Sequence, residues 1–339
     1  MAIVVNGKKV AGLGLPGKSA YQAAVDGGFT GNEQEFNESL AKRNIAIRRN
    51  LLDNWYFAGG GTSEKLPINQ RAITSVNASN NLIDRWRIYR YASGSATLTP
   101  NGINLSGDFD FGESIESARL PDIPNLPVTI SALFSDGSFV STTSILSNNG
   151  DSEFITVPIS SNASLGYTRN WQSDIDLFAF SLKSNASIIP IAAKLELGSS
   201  QTLAYKDEEG NWQLFETPDY AEELVKCQRY LLVLPGFNTL FSNIGVGSLF
   251  SETEAEITIP TPTTMRIMPT CAATGNWLLR GGGQAINVEA GASNFFVQQM
   301  SSNAVSMVIN GLSGCPANQA TQLLRSNNST AKITLSAEL

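Results

Sequence analysis

The sequence predicts a mainly β protein: a small helical N-terminal module followed by two antiparallel, jelly-roll-like β-sandwich domains. Three observations carry this. From Asn50 onward, short alternating apolar runs recur at fairly regular spacing and end at Gly, Asn, Asp or Pro, the pattern of a sandwich or barrel. Charged residues are only 16% of the 339 and apolar residues 42%, so a sizeable core is covered by Ser, Thr, Asn and Gly. Helical spacing surfaces only in the first 49 residues and again near residue 220.

In the first module, residues 1–49, "AIVV" and "KKVAGL" flank Asn6-Gly7, a hairpin-turn signal. "SAYQAAVDGG" reads as a short helix with a Ser19/Gln22 capping box and a Gly27-Gly28 stop; Tyr21 and Val25 share one face. "TGNEQEFNESLAKRN" reads as a second helix capped by Thr30 and Glu33, with Phe36 and Leu40 as its apolar seam.

The second domain, residues 50–213, is expected to contain strands in "WRIYRYA", a hairpin in "ATLTPNGINLSG" around Asn101-Gly102, and a hairpin in "PVTISALFSDGSFVSTTSI" turning at Asp136-Gly137. "SEFITVPIS", "DLFAFSLKS" and "IIPIAAKLEL" continue the series, while "SLGYTRNWQSDID" reads as a polar loop. The third domain, residues 214–339, opens with a helix. Thr217 is its expected N-cap, Pro218 its first residue, and Tyr220, Ala221, Leu224 and Val225 its apolar stripe. "AEITIPTPTTMRIMPT", "NFFVQQM", "AVSMVIN" and "AKITLSAEL" then read as strands, and "TGNWLLRGGGQ" as a loop.

Several function classes lose support. The chain has no histidine, which removes Ser-His-Asp and Cys-His nucleophile machinery and the usual zinc-protease motif. Cys227, Cys271 and Cys315 are widely spaced and odd in number, so buried free thiols are expected rather than disulfides or zinc ligands. A net charge of −7 argues against nucleic-acid binding, and no basic run is interleaved with aromatics. The opening apolar run of four residues is short for a leader, where about 7–15 are needed, and no stretch approaches the ~18 apolar residues of a membrane span.

"GLGLPGKS", Gly12–Ser19, matches G-x-x-x-x-G-K-[ST], the phosphate-cradling loop. That loop needs a buried parallel strand before it and a long helix after it. Here Asn6-Gly7 and two lysines interrupt the strand, Pro16 removes an amide, and the helix spans about two turns. A Gly/Pro turn into a capped helix is the expected structure.

The same residues fit another pattern. "GLPGKSAYQAAVDGGFTGNEQEFNESL" resembles a module common near the N-termini of bacteriophage fibre and tail proteins, with Asn32 where Thr is usual and Phe36 where Trp is usual. "NLLDNWYFAGGGTSEKLPINQR" followed by "IDRWRIY" resembles the opening of a tail-fibre β-sandwich domain. "AAKLELGSSQTLA" and "PDYAEELVKCQRYL" resemble its end and the start of a receptor-proximal domain, which "ITIPTPTTMRIMPT" and "ITLSAEL" complete. The resemblance implies a non-enzymatic virion protein: a homotrimeric tail fibre, on the particle surface, made in the host cytoplasm and contacting a host glycan. It also implies attachment to other virion proteins through the first module, with Tyr21, Val25, Phe36 and Leu40 as candidates. A head fibre or decoration protein and a polysaccharide depolymerase are the alternatives.

Candidate ligand contacts follow from residue type. Tyr167 and Trp171, and Trp277 with Asn276 and Arg280, combine aromatic faces with polar groups, as sugar sites do. Trp86, Trp55, Tyr56 and Phe57 read as core or anchoring residues instead. No cofactor is expected. Asp108 and Asp110, two apart on one strand face, are weak candidates for calcium. Asp174 and Asp176 have the same spacing and would be the carboxylate pair of a depolymerase.

Overall fold

The computed structural model describes residues 3–5, 8–11, 19–28, 30–34, 48–62, 64–235, 241–291, 294–327 and 330–339. The chain forms two compact units, Met1–Ile47 and Arg48–Leu339, and taken whole is mainly β.

In the first unit, strands Ile3–Val5 and Lys8–Ala11 pair antiparallel, with Val5 opposite Lys8. The helix Ala20–Asp26 begins at Ser19, whose hydroxyl accepts from the Gln22 amide at 3.2 Å while the Gln22 side chain accepts from the Ser19 amide. This is the expected capping box, and it satisfies two of the helix's free N–H groups. Residues 12–18 lie outside the described residues. The strand leading toward them belongs to an antiparallel pair and the helix after them is seven residues long, the reverse of a phosphate-loop setting. Of the second expected helix, Glu33 and Gln34 are helical; Phe36 and Leu40 lie outside the described residues.

The second unit contains two hydrophobic cores. The first lies between an eight-stranded and a three-stranded antiparallel sheet in a sandwich-like arrangement. The larger sheet runs, in space, Ser75–Val76, Trp86–Thr99, Gly102–Glu116, Ile175–Leu182, Ala163–Arg169, Glu153–Ser160, with Asn81–Ile83 and Ala186–Ile188 joining its long strands. The smaller runs Pro190–Leu197, Leu126–Phe134, Phe139–Leu146. Both expected hairpins form. Trp86–Thr99 turns into Gly102–Glu116 at Pro100-Asn101, and the second turn is closed by Asp136, whose carboxylate accepts from the Ser138 amide at 2.9 Å. Inward positions alternate along each strand, so Phe109 is buried and Phe111, Phe178 and Phe180 converge on Trp86. Trp86 meets Phe57 edge-on at 4.8 Å and is fully buried; each such ring contributes roughly 1.5–3 kcal/mol of transfer free energy.

The second core, drawn from Leu232 to Ala337, lies beneath a seven-stranded antiparallel sheet and a three-stranded one made of Leu231–Leu234, Lys332–Ser336 and Thr270–Thr274. Asn276–Gly281 and Gln284–Glu289 form a hairpin around Gly282-Gly283, both at positive φ. The "TGNWLLRGGGQ" segment is therefore strand–turn–strand and not a loop, because a two-glycine turn supplies the left-handed geometry that a tight hairpin requires.

The helix Tyr220–Gln228 also differs from expectation. Its N-cap is Asp219, which accepts from the amides of Ala221 and Glu222, and Thr217-Pro218 stay outside it. Its buried residues are Glu223 and Cys227, while Val225 is 47% exposed. The expected apolar stripe fails because a carboxylate has a buried task, described next. Cys227 and Cys315 are buried, Cys271 is half-buried, and all three are free thiols.

Candidate functional site

Charged side chains gather where the first core, the helix Tyr220–Gln228 and the start of the second core meet. Residues 51–55 run beside the strand Pro190–Leu197, with the Leu51 amide donating to the Leu195 carbonyl and the Ala193 amide to the Trp55 carbonyl. This places the Asp53 carboxylate, almost fully buried, against Arg119 and Arg85. Arg119 donates to both carboxylate oxygens, at 2.9 and 2.5 Å, and also to the Leu51 carbonyl and the Tyr230 hydroxyl. Burial pushes the Asp53 carboxyl up, but the Arg119 fork and the Arg85 charge outweigh it and hold the group below the usual range.

Arg85 lies 3.6 Å from the centre of the Tyr230 ring and 3.2 Å from Glu113. Glu113 sits at the inward parity of Phe111 and Ile115, and burial pushes its carboxyl well above the ordinary range, against the opposing pull of Arg85. Glu116 accepts from the Tyr230 hydroxyl and, at 3.2–3.3 Å, from Arg229; these donors outweigh its partial burial and keep it below the ordinary range. Glu223 accepts from the Asn54 amide at 2.6 Å and from Lys226. Asn54 and Arg85 both hold positive φ, as residues do where their surroundings over-determine them. A cavity of about 400 Å³ opens over this network. Its wall includes Arg49, Asp53, Glu116, Arg119, Lys226 and Arg229.

None of the expected ligand contacts lies in this cavity. Tyr167 belongs to the strand Ala163–Arg169, is 1% exposed, and donates its hydroxyl to Asp176 at 2.8 Å. Trp277 is fully buried and donates its indole N–H to the Thr274 carbonyl. Both rings are core residues with no face left for a sugar, which corrects the expectation drawn from them. Trp171 is half-buried; its indole N–H donates to Glu153 at 2.7 Å, and Arg169 lies 4.4 Å from its ring centre. Asn276 and Arg280 are exposed on the strand that carries Trp277, pointing away from it. In the first unit, Tyr21 donates to the Gly31 carbonyl and Val25 is 43% exposed.

The paired carboxylates are also accounted for by neighbours. Asp108 and Asp110 both grip Arg90, at 2.5 and 3.1 Å, so a guanidinium fills the place expected for a calcium ion. Among the described residues, no group of three or more Asp, Glu, His or Cys could hold a metal ion. Asp176 is buried and accepts from Ser117, Tyr167, Arg169 and the Asn170 amide, whereas Asp174 is exposed. Asp176 thus has a structural task, and the two do not flank a common space.

The charged network itself was missed by sequence reading. A signal existed: Asp53 in "LLDNW", Arg85 in "IDRWRI" and Glu113 in "DFGESI" are charges placed inside apolar runs. No family model matches this chain, and no curated protein matches it.

Proposed function

We propose that this chain is a virion fibre protein of a bacteriophage, with its first unit joining it to the particle and its β-rich body meeting a glycan of the host surface. The observation that carries the reading is the division of the chain. The segment resembling the fibre attachment module falls within a unit of its own, Met1–Ile47, separate from an antiparallel β body of 292 residues, Arg48–Leu339. A homotrimer, as the resemblance implies, would multiply weak glycan contacts into avidity. It would also offer partners to the exposed Phe154, Phe250 and Ile145.

Gold-labelled antibody raised to residues 214–339 tests the reading on intact particles. Gold at the distal end of the tail is the expected result. Gold over the head would replace it with a head fibre, and particles that bind no gold would remove the chain from the virion.

A further inference from the structure

The geometry points to the cavity beside the helix Tyr220–Gln228 as a binding site for an acidic sugar residue, a hexuronate unit. This rests on the reading that the β body meets a host glycan, and it names the chemistry of that glycan.

The first argument is charge. Four cationic side chains, Arg49, Arg119, Lys226 and Arg229, face two carboxylates, Asp53 and Glu116, in a chain of net charge −7. The second is unused donors. Among the described residues, the exposed guanidinium of Arg49 has no hydrogen-bonded or ionic partner. Arg229 uses Nε and Nη2 on Glu116 and keeps Nη1 free, and Lys226 spends one of its three N–H donors on Glu223. A ligand carboxylate would take these donors as charge-assisted bonds.

The third argument is the mixed wall. Glu116 keeps acceptor capacity for hydroxyl groups, and Val225 and Ala118 offer exposed apolar surface to the C–H face of a ring. A phosphate or sulfate dianion would meet Asp53 and Glu116 unfavourably and leave that surface unused. A monoanion that carries hydroxyls uses the whole lining. The volume, about 400 Å³, is at the small end of ligand pockets, which run roughly 300–1,000 Å³. It suits one sugar ring rather than an oligomer.

Saturation-transfer NMR on the full chain tests this, with methyl glucuronide and methyl glucoside as probes. The expected result is transfer to the glucuronide, at least roughly tenfold weaker binding of the glucoside, and a roughly fivefold or greater loss in Arg49→Ala. Val225→Trp, on an exposed helix position, fills the cavity and abolishes transfer. Neither variant removes a partner from the buried network, and an unchanged melting temperature confirms that each is folded. No transfer, equal transfer from both sugars, or transfer indifferent to both substitutions overturns the site. Adsorption of the purified chain to host cells separates this from the fibre reading. Adsorption without glucuronide transfer overturns the site alone, and loss of both overturns the two together.

Discussion

Arg119 ties together three separate parts of the second unit. One guanidinium joins residues 51–53, the strand end near Glu116 and Tyr230 at the start of the second core. Asp53 is 2% exposed, so its charge is tolerable only while cations neutralise it. Arg119→Ala leaves Asp53 facing Arg85 alone, through a longer contact of 3.4 Å. Removing one partner of a buried pair costs about 3–5 kcal/mol, and urea unfolding of the variant should show a loss of that order. Arg119→Lys should recover less than half of it, because an ammonium cannot donate in parallel to both oxygens and still reach the Leu51 carbonyl. Full recovery by lysine would show that charge alone, and not the fork, holds the junction.

At the scale of elements, two glycines of the eight-stranded sheet make opposite demands. A Cβ on Gly112 would stand 2.2 Å from the Phe178 carbonyl oxygen of the neighbouring strand, while a Cβ on Gly166 would meet its nearest atom at 3.7 Å. Neither needs positive φ. Gly112→Ala must therefore displace the backbone between Gly102–Glu116 and Ile175–Leu182, and it should lower stability by more than about 2 kcal/mol. Gly166→Ala should raise it by about 0.5 kcal/mol, by restricting the unfolded chain and improving the strand. Thermal melts of the two variants check both signs.

The strands themselves were legible because alternation and turn residues are local. Asn101-Gly102 and Asp136-Gly137 marked hairpins that form, and the Ser19/Gln22 box marked a helix start that forms. "SLGYTRN" was read as loop because its outward Ser164, Gly166 and Thr168 masked the inward Ala163, Leu165, Tyr167 and Arg169. The candidate site was hardly legible at all. Asp53, Arg85, the nearby Glu113 and Arg119, and Tyr230 come from four separate stretches of the sequence, and only the closing of the fold makes these stretches neighbours.

For the whole molecule, the buried carboxylates set a pH dependence whose direction can be worked out. Asp84 is fully buried, and among the described residues its carboxylate accepts only from Gln70, through the backbone amide and the side-chain amide, with no cation in contact. Burial pushes it up to about 7 from an ordinary 3.8, against the weaker pull of Gln70 and Arg71. The native state therefore holds a proton that the unfolded chain has released, and stability falls as pH rises from about 4 through about 7. Glu113 and Glu223, both raised by burial, act in the same direction. Asp53 and Glu116 act oppositely: their depressed values stabilise the fold above the ordinary carboxylate range and lose that contribution as pH falls through them.

The two limbs place the stability maximum in mildly acidic solution, between the protonation of Asp53 and the ionisation of Asp84. Gln70 also donates to the Leu231 carbonyl and accepts from the Val233 amide, so the Asp84 titration acts directly on the junction between the two cores. Asp84→Asn removes the ionisation while keeping the shape. Between pH 5 and 8 the unfolding free energy should fall by about 2–3 kcal/mol more in the native chain than in the variant. A native chain as stable at pH 8 as at pH 5, or a variant with the same slope, would show that Asp84 is charged and satisfied at neutral pH and does not set this limb.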